Sequence, residues 1–330
     1  MERGEGRRRS QSARKIEWPT WIMLALCYAL WGAAVWNYEA LGPFLFILVA
    51  GYTVGLHASL QHEALHGHPT RSAALNEALV FPSLNLLFPY LRFRDLHLRH
   101  HCDERLTDPY DDPESWYLAE RDARALSPLM AALLRVNGSL AGRLVIGPWL
   151  SVIGLYRADW RQALQGDRGA RIRSAYLRHA AGVALVLGYI WGVCGLNPIL
   201  YLLMAAWPGL SLLMLRTYAE HRAAARVEQR TAVLEAEAPF ALLFLNNNLH
   251  AVHHTHPTAP WYALPTIWRR EREATLARNG GYFIRGYRAL FRDWLFRRRE
   301  PLAHPLLRRD VDAPREPAGE VCPARAAPAE

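Results

Sequence analysis

ALGPFLFILVAGYTVGLHASLQHEALH, residues 40–66, is the stretch that decides the fold. Residues 40–61 carry no charged side chain, and a bilayer core needs about 20 apolar helical residues per crossing. The stretch therefore reads as a membrane span that runs directly into His62 and His66. Upstream, residues 18–38 are also uncharged, and downstream residues 180–215 form an uncharged run of 36. That last run is long enough for two crossings once Asn197-Pro198 breaks it, because proline ends or kinks a helix. The expectation is an all-α integral membrane protein with four transmembrane helices in two hairpins, spanning about 18–38, 42–61, 178–196 and 198–216.

Composition agrees, since 51% of the 330 residues are hydrophobic, more than an ordinary soluble domain needs. Net charge is +9, carried almost wholly by arginine, with Lys15 the one lysine. Such a skew fits GC-rich coding and a bacterial inner membrane. Arg3, Arg7, Arg8, Arg9, Arg14 and Lys15 precede the first span, whereas the turn at 37–42 has no basic residue. The positive-inside rule then places the N-terminus in the cytoplasm, and two hairpins return the C-terminus to the same side. No small-residue cleavage site follows the first span, so the leader is not a signal peptide. Trp18, Trp21, Trp31 and Trp36 suit an interfacial belt.

Residues 1–17 read as a disordered basic leader, 18–300 as one membrane domain and 301–330 as a disordered tail. Between the hairpins, apolar stretches at 75–93 and 126–156 are interrupted by Pro82, Pro89, Pro128 and Pro148. They suggest helices lying on the membrane surface, a cytoplasmic helical cap, with 144–156 a candidate re-entrant piece. The chain leaves the bilayer again through Arg216 and Arg222, and 239–249, too short to cross, dips into the interface. Cys27, Cys102, Cys194 and Cys322 show no CxxC spacing, so no disulfide framework is expected, and Cys102 reads as a bystander beside His101.

Three histidine clusters fall on one side of this topology: HEALH at 62–66, HLRHH at 97–101 and HAVHH at 250–254. On a helix, residues at i and i+4 are about 40° apart and those at i and i+3 about 60° apart. Each cluster is thus expected to turn two or three imidazoles toward one point. Eight neutral imidazoles exceed the needs of one ion, because zinc takes four ligands and six-coordinate iron keeps positions open. Two ions fit better. A chain of this composition would hold roughly 0.025 HxxHH motifs by chance, so two are informative, whereas HxxxH alone is weak. HEALH also matches the zinc-protease pattern HExxH with Glu63 as general base, but two further clusters are superfluous for such an enzyme. A zinc site, or solvated histidines on surface helices, are the competing readings.

The order HxxxH, HxxHH, HxxHH, placed after the second span, between the hairpins and after the fourth, resembles the membrane fatty-acid desaturase superfamily of bacterial type. GHPTR after the first box, TDPYDDPES after the second and NLHAVHHTHPTAPWYALP around the third are similar to its stretches, and the likeness covers about residues 18–300. The resemblance implies two non-haem irons held by His62, His66, His97, His100, His101, His250, His253 and His254. It also implies a ninth ligand, His221 in RTYAEHR. His57 reads as a buried structural residue, and His68, His179, His256 and His304 as residues behind the ligands or on the surface. Glu63, Glu220, Asp108, Asp111 and Asp112 are candidates to orient ligand imidazoles or plain surface charges. Asn246, Asn247 and Asn248 are either a water-mediated contact to the metal or a helix-breaking segment.

The implied activity is O₂-dependent oxidation of a fatty-acyl chain in the membrane, most simply desaturation. Hydroxylases, ketolases and alkene-forming fatty-acid decarboxylases share the scaffold, and a zinc-dependent membrane protein without redox turnover is the alternative of another class. No Gly-rich phosphate loop or haem signature is present, so electrons are expected from a ferredoxin or a cytochrome b5-like protein with its reductase. No nucleic-acid partner is expected. Arg92, Arg94 and Arg99 suggest a head-group contact or a phospholipid-facing stripe.

Overall fold

The computed structural model describes residues 16–101 and 105–306. Most of the expected leader and tail, and Cys102 and Cys322 with them, lie outside the described residues. The chain is mostly helical. α1 (Trp18–Trp36) and α2 (Tyr38–Leu65) form a hairpin through Asn37, whose Nδ2 donates to Ala33 O at 2.8 Å. Gly42, at φ 65°, bends the start of α2 ahead of Pro43, a left-handed conformation that glycine adopts without strain. α2 continues past the expected end of its span, so His62 is still helical and His66 caps the helix.

Among the described residues three helices are long and apolar enough to cross a membrane: Trp18–Trp36, Tyr38–Leu65 and Pro198–Glu220. The last comprises α9 (Pro198–Tyr201), a π turn (Leu202–Ala206) and α10 (Trp207–Glu220). Ile22, Leu26, Leu30, Phe44, Leu48, Leu200 and Leu203 are exposed on the outside of these helices, which suits contact with lipid rather than water. The stretch expected as the third span is divided. α8 (Gly166–Leu187) begins with Arg168, Arg171, Arg173 and Arg178, and its apolar part runs into a π turn (Gly188–Val193) that stops at Gly195, φ 71°.

Small residues let α2 and α10 approach closely. A Cβ on Gly209 would stand 2.5 Å from Val54 Cγ1 and 3.0 Å from Gly51 O, and one on Gly55 3.4 Å from Gly209 O. Such glycines are the usual means of bringing membrane helices together, and here they set the distance between the helices that end in His62 and lead into His221.

Two expectations change. Trp31 is not part of an interfacial belt: it is buried and its Nε1 donates to Tyr201 Oη at 2.9 Å, while Trp18 and Trp36 are exposed. Nor does the stretch after α3 (Ala73–Leu79) lie on the surface. Pro82 stands just beyond the end of α3 and Pro89 caps the start of α4, and the loop between them tucks into the bundle, with Leu84 packed among Trp31, Phe46, Ile190 and Tyr201. Its buried carbonyls need donors, and side chains supply them. Tyr28 Oη donates to Leu79 O at 2.9 Å, Tyr201 Oη to Leu84 O at 2.7 Å and Tyr156 Oη to Leu87 O at 3.1 Å.

The other proline-broken stretch forms α6 (Pro128–Asn137) and α7 (Leu140–Gln162), preceded by α4 (Tyr90–His100) and α5 (Glu120–Arg124). Pro128 opens α6 behind the cap Ser127, and Pro148 stays within α7. Leu129, Val136, Val145 and Ile153 are exposed along this pair. Beyond α10, β1 (Val233–Leu234) pairs in parallel with β2 (Phe283–Ile284). Between them lie α11 (Ala238–Leu243), α12 (His250–Thr255) and α13 (Leu264–Arg278), and α14 (Gly286–Trp294) follows. α11 leans on α2, where Ser59 Oγ donates to Leu243 O at 2.7 Å and Tyr52 Oη to Pro239 O at 2.9 Å. Residues 302–304 are pinned to the loop before α5 by Leu118 N to Leu302 O, 2.8 Å, and His304 N to Leu118 O, 2.9 Å.

Candidate metal centre

The three clusters meet at one end of the bundle. α2 ends in His62 and His66, α4 ends in His97, His100 and His101, and α12 opens on His250, His253 and His254. α12 starts with a histidine because the chain before it turns through left-handed Leu245 and Asn246, φ 47° and 56°, and Ala251 N then bonds Ala232 O at 2.8 Å. His221 leaves α10 in extended conformation, pairs with Thr231 and has its carbonyl held by Arg299 Nη2 at 3.0 Å.

Nine histidines divide into two groups, His62, His66, His97, His101 and His253 in one and His100, His221, His250 and His254 in the other. Within each group one ligand atom per residue lies within 4.8 Å of all the others. The boxes do not each serve one point, as their spacing suggested. In HLRHH the i, i+4 pair His97 and His101 joins the first group and His100 the second; in HAVHH the pair His250 and His254 joins the second and His253 the first. The reason is angular: the i+3 and i+4 residues fall on opposite sides of residue i, about 100° apart, so one HxxHH helix feeds both groups. His101 and His254 stack at 4.3 Å between centroids where the groups adjoin.

The nitrogens are disposed as ligands of an ion would be. Nε2 of His100 lies 3.0 Å from Nε2 of His221, which is 3.0 Å from that of His250. In the other group Nε2 of His101 is 3.0 Å from that of His97 and 3.1 Å from that of His253. Adjacent ligands at metal–nitrogen distances of about 2.1 Å stand about 3.0 Å apart at right angles. Nε2 of His66 is buried without a hydrogen-bond partner. The residues fit two metal ions.

Carboxylates fix the tautomers. His97 Nδ1 donates to Glu114 Oε1 and His100 Nδ1 to Asp112 Oδ1, both at 2.8 Å. A proton on Nδ1 leaves the Nε2 lone pair free to face the centre. Asp112 is itself held by Thr107 N on Oδ2 at 2.8 Å. Asn247 joins the groups, with Nδ2 3.3 Å from His62 Nε2 and Oδ1 3.2 Å from His250 Nδ1. It touches the histidines directly, while Asn246 bonds Trp261 O and Asn248 bonds Leu234 O.

Of the acidic candidates, Asp112 contacts a histidine of the centre, and Glu220 Oε1 lies 3.4 Å from His250 Nδ1. Glu63 Oε2 accepts Trp261 N at 3.1 Å, with Oε1 4.0 Å from His62 Nδ1. Asp108 caps the loop through Tyr110 N and Asp111 N, and Asp111 offers its carbonyl to Arg99. Glu114 was not singled out by sequence reasoning. Its signal was the acidic run DPYDDPE, but which carboxylate turns inward depends on the loop.

Elsewhere, His57 is fully buried with Nε2 3.1 Å from Tyr28 Oη. His68 pairs with Glu17 at 2.8 Å, His256 with Glu271 at 2.9 Å, His179 bonds Leu86 O and His304 bonds Thr107 Oγ1. The expected arginine stripe is dispersed. Arg92 is buried in a two-armed pair with Asp159, both arms 2.8 Å, and Arg94 turns to Asp95.

Burial lowers the pKa of His66, His97, His101, His221, His250 and His253 below the ordinary 6.5. Burial also pulls on His100, but Asp112 and Glu114 outweigh it and raise this histidine to about 9. In an unfolded chain all seven take up protons as pH falls through about 6.5, whereas the six lowered ones resist in the fold. Their net effect is to destabilise the metal-free fold in acid. His100 works oppositely, its contribution present below about 6.5 and lost as pH rises through about 9. With six groups against one, the unfolding temperature of metal-free protein in nanodiscs falls between about pH 7 and pH 5.5. A flat or rising value would contradict neutral buried imidazoles.

A family model described as Fatty acid desaturase matches residues 39–286, from the start of α2 to the start of α14. No curated protein matches the chain.

Proposed function

This chain belongs to the fatty acid desaturase family, and on that premise we propose that it is an O₂-dependent membrane diiron oxidase that introduces a C=C bond into a fatty-acyl chain. The observation that carries the reading is the division of nine histidines into adjoining groups of five and four. His62, His66, His97, His101 and His253 would hold one iron, and His100, His221, His250 and His254 the other. Bound there, the iron pair supplies the oxidising power that an unactivated C–H bond requires.

The chain's own residues supply position and insulation. Glu114 and Asp112 hold protons on Nδ1 of His97 and His100, so that neither ring turns away. Asn247 keeps His62 and His250 in register across the two groups. Seven of the nine histidines are buried, and α11 leans on α2 at Ser59, one turn before His62. Water exclusion protects a strong oxidant from side reactions.

Loss of one outer partner typically costs roughly 10–100-fold in metal affinity. Glu114→Ala accordingly retains less iron than wild type after dialysis against a chelator, with the apparent dissociation constant raised within that range. Unchanged retention would take Glu114 out of the centre.

The apolar end of α8 with its π turn serves as a fourth crossing, giving two hairpins that bring all histidines to the cytoplasmic face of a bacterial inner membrane. Electrons come from a ferredoxin or a cytochrome b5-like partner. Expression in a host of defined lipid content, followed by mass spectrometry of the acyl chains, tests the reaction. Loss of two hydrogens is the expected change. Gain of an oxygen instead would make the enzyme a hydroxylase, and loss of the carboxyl carbon an alkene-forming decarboxylase.

A further inference from the structure

α10 carries a cation into the wall of the centre. Arg216 was expected to mark where the chain leaves the bilayer, but it is only 4% exposed. Its Nε stands 2.9 Å from Glu220 Oε1, one turn on, and the same Oε1 lies 3.4 Å from Nδ1 of His250. Arg216 is therefore one carboxylate away from a histidine of the four-membered group. The ion pair is poorly aligned, since Nε and Nη1 of Arg216 are both buried without a hydrogen-bond acceptor. The charge also reaches the other histidines. Burial is the main cause that lowers His97, His250 and His253, and Arg216 pushes each of them the same way.

A buried guanidinium with unmatched donors is costly, and more so beside two metal cations. Asp112 is engaged on His100 and Glu114 on His97, while Glu220, whose Oε1 stands 2.9 Å from Arg216 Nε and is itself buried without a hydrogen-bond partner, leaves Nη1 of Arg216 unmatched. A cation with a spare buried donor in this position is suited to an anion that arrives from outside. A guanidinium pairs best with a planar oxyanion such as carboxylate. Among acyl lipids the free acid carries one, whereas thioesters and esters do not.

We propose that Arg216 receives the carboxylate of a free fatty acid, which makes free acids the substrates and places the oxidised position within the first few carbons of the chain. The second part follows from reach. A carboxylate held on Arg216 lies beside the centre, so carbons near the head are presented to it and the middle of the chain lies beyond. This rests on the diiron reading above and deepens it.

The test uses iron-loaded protein in nanodiscs, with palmitate and hexadecanol as probes and binding read from the optical spectrum of the centre. Arg216→Met alone would strand Glu220 as a buried unpaired charge, so the informative variant is Arg216→Met/Glu220→Gln, with Glu220→Gln as control. A charge-assisted hydrogen bond corresponds to a preference of about tenfold or more. Wild type and the control are expected to bind palmitate at least that much more tightly than hexadecanol, and the double variant to bind both within about twofold. An undiminished preference in the double variant, or none in wild type, overturns the proposal. Iron content measured on the same samples separates the two readings. Two irons without a carboxylate preference would sink the role of Arg216 and leave the centre standing.

Discussion

Replacing His100 by alanine is expected to abolish turnover and to leave the protein in the membrane. His100 stands in the four-membered group with its Nε2 3.0 Å from that of His221, and its Nδ1 is anchored on Asp112 at 2.8 Å. Alanine removes a proposed ligand and also leaves Asp112, 5% exposed, without its buried partner. The loss therefore exceeds the roughly 10–100-fold that follows from disturbing an outer contact. Insertion, by contrast, depends on apolar helices that contain none of this machinery in their lipid-facing surfaces. Product formation and the yield in washed membranes measure the two effects separately. Full activity in this variant would remove the second cluster from the site.

Gly209→Val is expected to be comparably damaging through a different route. The added Cβ would meet Val54 Cβ at 2.6 Å and Cγ1 at 2.5 Å, with the Gly51 carbonyl behind them at 3.0 Å. Neither neighbour is the loose end of a flexible side chain, so α2 and α10 must separate. Overpacking of this kind costs about 1–3 kcal/mol. The functional cost is larger, because α2 delivers His62 and His66 to one group while α10 delivers His221 to the other. The expected result is a lowered unfolding temperature together with reduced iron content. Wild-type iron content in a destabilised Gly209→Val protein would mean that the helix spacing does not set the centre.

Much of this arrangement was legible in the sequence because its causes are local. Uncharged length placed α1, α2 and α10, and the HxxHH spacing identified histidines that the fold brings together. His221 was reached through family resemblance, since a lone histidine has no spacing to betray it. What could not be read depended on contacts between distant segments. The allocation of His100 and His253 to the opposite group from their box partners requires knowing where α4 and α12 sit relative to each other. Glu114 and Arg216 were hidden for a similar reason. An acidic loop residue looks like a surface charge until a histidine of α4 meets it, and an arginine near the end of a span does so until the packing around α10 buries it. Trp31 and the 81–89 loop misled in the opposite sense. Their composition suits a membrane interface, but Tyr201, 117 residues from Leu84, satisfies both Trp31 and the loop.

On the proposed function, the histidine end of the bundle holds two irons. Elemental analysis of protein purified from iron-replete cells, normalised to chain concentration, tests it most directly. Close to two irons per chain with little zinc is the expected result. One zinc per chain and no iron would contradict it.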